Sequence, residues 1–435
     1  RFYPMLYVVG TTISLVCAGL GTLQGARRVL QLQPAESMRP KPPAKGGTVL
    51  LERIGWLWRR LDVKWRIAAR SVSRNRARSA VGIFAASMGA ALMMNGLMMT
   101  ESVNYLIEFQ FEKVLQSDVD LTFKGERGRD ALRESSRLPG VDYAEPVLNA
   151  AVTFRNGSHK KRGAITGLIP GARLTSPRDQ AGRRLRIPQT GLVMGAATAK
   201  ALRVGPGDFV TVRPVKGLRR ERRARIVKVA QGYLGMSCYA DLHFLSRLLD
   251  EEFAMTGVQL QVRPDPAARA RLFHQLKRTP ALEGYTAREN VIKNLKSTLV
   301  DMNNAAITVL IFFAGTIFFG STLTASLISL AERRRETATL LTLGYEPWTV
   351  GGVFLREGLV VNLIGAAAGL PLGYLLTLVM AETYATDLAR LPVIAPPRVW
   401  LWTLGLGVLF SLASHVFVQR SILRMDLLDA LKTQE

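Results

Sequence analysis

Residues 305–344 read AAITVLIFFAGTIFFGSTLTASLISLAERRRETATLLTLG. The first part, Ala305–Leu330, passes without one ionisable side chain. A hydrocarbon core of roughly 30 Å takes about 20 helical residues to cross. The apolar residues here run around the whole helix rather than along one stripe, which favours lipid over a soluble core. The stretch therefore predicts a membrane span. Charge follows at once, as Glu332, Arg333, Arg334, Arg335 and Glu336. Apolar residues then return at helical spacing (Ala338, Leu341, Leu343), and Gly344 stands where a helix would stop.

Working outward, four more apolar runs reach similar length: Phe2–Leu23, Ala80–Thr100, Val350–Met380 and Val399–Val418. Five spans account for a composition that is 48 % hydrophobic yet 21 % charged. With 58 basic against 33 acidic residues the chain carries a formal charge of +25, which fits nucleic acid or an anionic membrane face. The spans decide for the membrane, with lipids as partners and no nucleic acid. Cys17 falls in a span and Cys238 in the long polar insert, and neither has metal-ligand spacing around it. His159, His243, His274 and His415 are scattered, so no catalytic constellation and no metal site is expected. No Gly-x-x-x-x-Gly-Lys-Ser/Thr phosphate cradle occurs in the sequence.

Lys and Arg in the short connections set the orientation. The segment Arg27–Arg78, the triplet Arg333–Arg335 and the tail with Arg420, Arg424 and Lys432 are all basic and belong in the cytoplasm. The expected organisation is a helix over 1–26, a basic cytoplasmic linker with an amphipathic interfacial helix over 27–79, and a span over 80–100. An extracytoplasmic α+β domain with helical stalks follows over 101–298, then a span over 299–331 and a cytoplasmic helix over 332–349. A span over 350–381, an outer loop over 382–398, a span over 399–419 and a cytoplasmic tail over 420–435 complete it. Strands are expected at Val119–Phe123, Ala150–Phe154, Phe209–Arg213, Ile226–Ala230 and Gly257–Val262, with helices near Thr198–Arg203 and Leu242–Glu252. Val103–Leu115 and Arg288–Val300 read as stalks.

Five spans with an inner tail put the N-terminus outside, so the expectation is a C-terminal portion of a longer, duplicated protein. A repeat supports it: Arg27–Arg39, with Pro34, Glu36, Met38 and Arg39, aligns without gaps on Arg420–Lys432, with Asp429, Leu431 and Lys432.

These pieces together resemble the FtsX-like permease family, type VII ABC permeases of the mechanotransmission kind that include MacB, LolC and LolE and the bacitracin-type permeases. Glu332–Gly344 is similar to the family's charged connection, and Phe354–Glu357 follows at the expected distance. Trp65–Ser79 looks like its basic interfacial helix, and Gly191–Val212 like part of a MacB-type periplasmic core. The resemblance implies an inner-membrane, multi-pass permease with its large domain in the periplasm. It implies two separate ABC ATPase subunits that supply ATP and Mg, no cofactor on this chain, and a coupling helix at Glu332–Gly344 assisted by Glu357. Export or extraction of a lipophilic, lipoprotein or peptide-like substrate is the function implied. An adaptor, a lipoprotein carrier or a hydrolase would be the periplasmic partner.

A membrane-anchored scaffold or receptor that regulates such a hydrolase without transport is the alternative. An ion-coupled transporter is disfavoured, since the span centres lack ionisable groups. Gly365, Gly369 and Gly373 read as a helix-packing seam. Glu357 reads either as a contact of the coupling region or as a solvated interfacial charge. Met88, Met93, Met94, Met98 and Met99 read as an adaptable surface for lipidic cargo or as lipid-facing packing. The basic stretch Arg155–Arg225 faces either anionic groups or plain solvent.

Overall fold

The computed structural model describes residues 4–30, 62–74, 76–216, 220–233, 237–297, 302–386 and 390–427. The repeat residues Pro34, Glu36, Met38, Arg39, Asp429, Leu431 and Lys432 lie outside them. The chain divides into two units, 1–58 and 59–435. The first contains helix α1 (Pro4–Leu30), whose apolar part is Val8–Leu23.

In the second unit α2 (Val63–Arg74) leads into α3 (Arg76–Glu108), which continues as a π-helical turn over Phe109–Val114. After the sheet domain come α9 (Met302–Glu332), α10 (Arg334–Thr342), α11 (Pro347–Thr383) and α12 (Pro397–Leu423). Among the described residues four helices are long and apolar enough to span: Arg76–Val114, Ala305–Glu332, Pro347–Thr383 and Pro397–Leu423. The fifth expected span coincides with α1, of which Val8–Leu23 is the apolar stretch among the described residues.

Helices α3, α9, α11 and α12 form a bundle in which α3 and α12 lie on opposite corners. Small residues decide the tightest contact. A Cβ on Gly365 would lie 2.5 Å from Ala86 Cβ, one on Gly369 2.5 Å from the Ser87 carbonyl, and one on Gly373 2.8 Å from the Ala91 carbonyl. Steps of four on α11 thus meet steps of four on α3, so the two run parallel with backbones in near contact. Met93, Met94 and Met98 are fully buried in the bundle. They are neither cargo surface nor lipid-facing; three of the five fill the gaps beside the small-residue seam.

The sheet domain is built from β1 (Val119–Arg127), α4 (Arg129–Ser136), β2 (Val141–Asn156), β3 (His159–Leu168) and β4 (Leu192–Gly195). It continues with α5 (Ala196–Leu202), β5 (Phe209–Pro214), β6 (Arg222–Ala230), β7 (Ser237–Asp241), α6 (Leu242–Leu248), β8 (Met255–Val262), α7 (Pro266–Lys277) and β9 (Leu282–Ala287). The strand order β3-β7-β4-β6-β5-β2-β8-β1-β9, with β3 also pairing β2, contains a ring. Six strands close on themselves around Leu148, Val152, Phe154, Ile165, Met194 and Ile226. The other strands read β1-α4-β2 and β8-α7-β9 in spatial order β9-β1-β8-β2, a split βαββαβ sheet. Helices α4 and α7 cover one of its faces, through Leu132, Leu272 and Leu276. The 16-residue β2 belongs to both bodies: its first half pairs β8 and its second half pairs β3 and β5.

The domain stands on two props. The π-turn end of α3 and the helix α8 (Arg288–Leu295) pack through Val103, Ile107 and Phe111 against Val291, Ile292 and Leu295. Leu115 then bridges Thr175, and the Gln116 and Ser176 amides donate to Leu174 and Val114 carbonyls at 2.7 and 2.8 Å. Glu145, 1 % exposed on β2, holds that loop by accepting the Arg173 and Leu174 amides at 2.7 and 3.0 Å.

Candidate functional site

Four helices and the break before α10 bring polar side chains together where α10 leaves the bundle. Glu357, in the third turn of α11, is only 8 % exposed. It accepts from Arg78 Nη2 of α3 at 3.2 Å, from Arg333 Nη1 at 3.3 Å and from Ser329 Oγ of α9 at 3.4 Å. Arg78 also pairs with Glu332, and Arg333 donates to Ser71 Oγ of α2. Beside them the Arg356 guanidinium lies 5.8 Å from the Trp65 ring centroid, which ties α2 to α11.

A carboxylate removed from water needs partners that repay its lost hydration, and two guanidinium groups supply them here. Glu357 is thus a buried, paired acid and not a solvated charge. A crevice lined by Ser79, Thr322, Ser326, Phe354 and Asn362 opens beside it.

The node fixes how α10 is presented. The backbone breaks at Arg333, with φ −110° and ψ 20°, and α10 starts one residue later. Thr337 and Ala338 are buried, and Leu341 packs with Leu330, Phe354 and Val418. Ala338 and Leu341, expected to face a partner, therefore face the bundle. Leu343 does face outward, at 71 % exposure, and is joined by Leu340, Tyr345 and Trp348 at 39, 54 and 67 %.

The correction is one of helical phase. Positions 337, 338 and 341 share one side of a 3.6-residue helix and position 340 the other, and the pinned Arg333 chooses between them. Gly344 ends the helix at φ +89°. Its amide donates to Leu341 O and that of Tyr345 to Leu340 O, both at 3.1 Å, the Schellman pattern. Arg334, Arg335 and Glu336 are exposed on the first turn. Sequence reasoning missed Tyr345 and Trp348, although a Trp directly after Gly344-Tyr345-Glu346-Pro347 was visible as an aromatic outside any apolar run. Arg78 it read only as one more linker charge.

The expected interfacial helix corresponds to α2. It ends at Arg74, α3 begins at Arg76, and Ala68, Ala69 and Ser71 are buried. One side of it packs along α11.

Above the node the bundle carries uncharged polar rungs. Asn362 accepts from Thr322 Oγ1 at 3.2 Å and donates to Ser411 Oγ at 2.6 Å. Asn95 accepts from Thr377 Oγ1 at 3.0 Å. Such bonds between helices in lipid contribute about 0.6 kcal/mol each on average. At the far end Arg398 of α12 pairs with Glu101 of α3. Charge thus ties α3, α9 and α11 at one end and α3 to α12 at the other, with amides and hydroxyls between.

No curated protein sequence matches the chain. Among solved structures, the chain is similar to the periplasmic region of MacB from Actinobacillus actinomycetemcomitans at 12 % identity and TM-score 0.28, covering 44 % of this chain and 97 % of that one. It is also similar to the extracellular domain of the noncanonic ABC-type transporter YknZ from Gram-positive bacteria at 12 % identity and TM-score 0.27, covering 40 % of this chain and 99 % of that one. The family model of the FtsX-like permease C-terminal domain matches residues 308–427, the stretch that holds α9, α10, α11 and α12. The end of the chain from α9 to α12, residues 308–427, therefore carries the pattern of an FtsX-like permease C-terminal domain.

Proposed function

We propose that this chain is the transmembrane subunit of an ABC transporter, driven by two separate ATPase subunits that dock on α10 and bring ATP and Mg. The inner end of the bundle is then the α10 end, in the cytoplasm, and the sheet domain faces the periplasm across the inner membrane. The observation that carries this reading is the build of α10. Its outer face is an apolar row next to three exposed charges, and its inner face is bolted to three bundle helices through Glu357. A push on Leu343 and Trp348 is then delivered to α3, α9 and α11 together. The cargo class that suits such a stroke is a lipophilic, lipoprotein or peptide-like substrate, lifted or expelled as the sheet domain moves.

The experiment is affinity purification of the tagged full chain from native membranes, followed by ATPase assay. The unaltered chain brings an ATPase with it. Leu343→Asp with Trp348→Asp lowers the co-purified ATPase about tenfold or more, since burying an unpaired charge in an apolar interface costs several kcal/mol. Glu357→Gln keeps the ATPase bound but lowers substrate-linked hydrolysis, because the charge on the arginine clamp is lost while the docking face is intact. A chain that brings no ATPase, or an Arg334–Tyr345 segment labelled from outside intact cells, overturns the reading.

A further inference from the structure

The outer wall of the six-stranded ring carries an arrangement that the permease reading leaves unused. Alternate residues of β2, β5 and β6 (Val152, Phe154, Val212, Ala224 and Ile226) point into the ring core, so the residues between them point out. The register places the outward ones in rows. Thr153 stands opposite Arg162 on one side and Arg213 on the other. Two residues on, Arg155 stands opposite Lys160 and Thr211, and Thr211 opposite Arg223. Two rows across four strands thus hold Arg162, Arg213, Lys160, Arg155 and Arg223, over roughly 14 Å by the usual strand spacing.

Two features set this wall apart from an ordinary basic surface. Like charges directly opposite in a sheet destabilise it, and Arg155 against Lys160 is such a pair. Several arginines elsewhere on the domain have carboxylates: Arg222 with Asp250, Arg263 with Asp142, Arg183 with Asp179, Arg269 with Glu289. Lys160, Arg162, Arg213 and Arg223 have no ion-pair partner among the described residues, and Arg155 bonds only the Gly157 carbonyl, at 3.2 Å. The wall is also concave. Arg155, Lys160, Arg162 and Arg213 line one cleft with Thr153 and Val215, and Glu221 is the single acid at its rim.

We propose that this cleft binds a phosphate-bearing anion. Guanidinium forks match tetrahedral oxyanions in bidentate fashion, the threonine hydroxyls between them donate the further hydrogen bonds, and the exposed Val215 admits an apolar neighbour to the headgroup. A flat acidic protein surface would need no concavity, and it is the weaker fit. The inference stands apart from the ATPase reading, since nothing in it depends on α10.

The test uses the purified full chain in nanodiscs of phosphatidylcholine, with inorganic pyrophosphate and phosphatidylglycerol vesicles as separate probes. The variants are Arg155→Gln/Arg162→Gln/Arg213→Gln, and a control, Arg271→Gln/Lys277→Gln/Arg278→Gln, on α7 and its C-cap. Each basic residue near an anionic lipid surface accounts for about a fivefold gain in binding, so the cleft triple loses on the order of a hundredfold and the control loses far less. Cleft-dependent binding of vesicles alone assigns the site to a lipid headgroup, and of pyrophosphate alone to a free phosphate; either supports the proposal. Arg162→Lys/Arg213→Lys keeps charge but not the forks and falls between. The cleft triple also melts no lower than the parent, since it relieves repulsion. Equal losses in cleft and control variants overturn the proposal. So does tighter binding of poly-glutamate than of either phosphate probe through the same three arginines.

Discussion

A half-buried acid, Asp120, shows how the sheet domain trades stability for geometry. Asp120 on β1 faces Gln259 on β8, whose Nε2 donates to Asp120 Oδ1 at 3.1 Å, while Thr175 Oγ1 donates to Gln259 Oε1 at 2.7 Å. The cluster fixes the loop that meets the end of α3. Burial pushes the Asp120 carboxyl above its ordinary value of 3.8, and the hydrogen bonds from Ser117 and Gln259 only partly oppose it. A raised carboxyl holds its proton better in the folded chain than in the unfolded one. Its contribution to stability is therefore present below about the unfolded value and is lost as pH rises through the folded value. Near neutral pH the charged form is a cost. Asp120→Asn keeps an acceptor for Gln259 and removes that charge, so its melting temperature should exceed the parent's at pH 7, with the gap closing toward pH 4. Thermal unfolding at both values checks this, and an equal gap at both would refute it. Cys238 behaves oppositely in consequence: burial pushes its thiol up to about 12, so it stays protonated and inert across the same range.

At the scale of elements, the seam between α3 and α11 makes the sharpest prediction. A methyl on Gly369 meets the Ser87 carbonyl at 2.5 Å and Ala90 Cβ at 2.7 Å, backbone and near-backbone atoms that cannot swing aside. Gly369→Ala should therefore destabilise the purified permease by about 1–3 kcal/mol. Gly405→Ala on α12, where nothing lies within 4 Å, should be neutral or gain up to about 1 kcal/mol from helix propensity. Melting of the two single variants in detergent separates them, and equal losses would remove the seam.

The same elements show what was legible in the sequence. The spans in α3, α9, α11 and α12 announce themselves because lipid demands an unbroken apolar run, and β1, β2, β5, β6 and β8 show stretches of alternation. β3 was missed because its outer face is basic and its inner face contains glycine, so His159–Leu168 reads as a loop. β4 and β7 are four and five residues long, too short for any periodicity, and their pairing closes the ring through partners distant in sequence. The outward face of α10 was misread because apolar spacing alone does not tell which apolar side meets the bundle. That phase is set by Glu357, on the next helix, and by Arg78, far from α10 in the chain.

For the molecule as a whole, the proposed function asks how movement of the bundle would reach the sheet domain. Beyond the props, one compact contact joins three parts. Tyr233, on the loop after β6, stacks edge-on against Phe109 at 5.0 Å and Tyr105 at 6.2 Å on the outward extension of α3. Its carbonyl accepts the amide of Arg390 from the connection between α11 and α12, at 2.9 Å. Lys113 Nζ lies 5.2 Å from the Tyr105 ring centroid. Phe109 is almost fully buried, so Phe109→Ala removes the centre of this knot at about 3–5 kcal/mol of local stability. The α10 end stays untouched in that variant, and the knot is separated from it by the length of α3, about 50 Å at 1.5 Å per residue. Phe109→Ala should accordingly bind its ATPase as the parent does while amide exchange quickens in the loop around Tyr233 and at Arg390. Substrate-linked ATP hydrolysis should fall in the same variant. If exchange quickens but hydrolysis holds at the parent rate, the knot is a structural anchor only, and the stroke travels through the paired props of α3 and α8 instead.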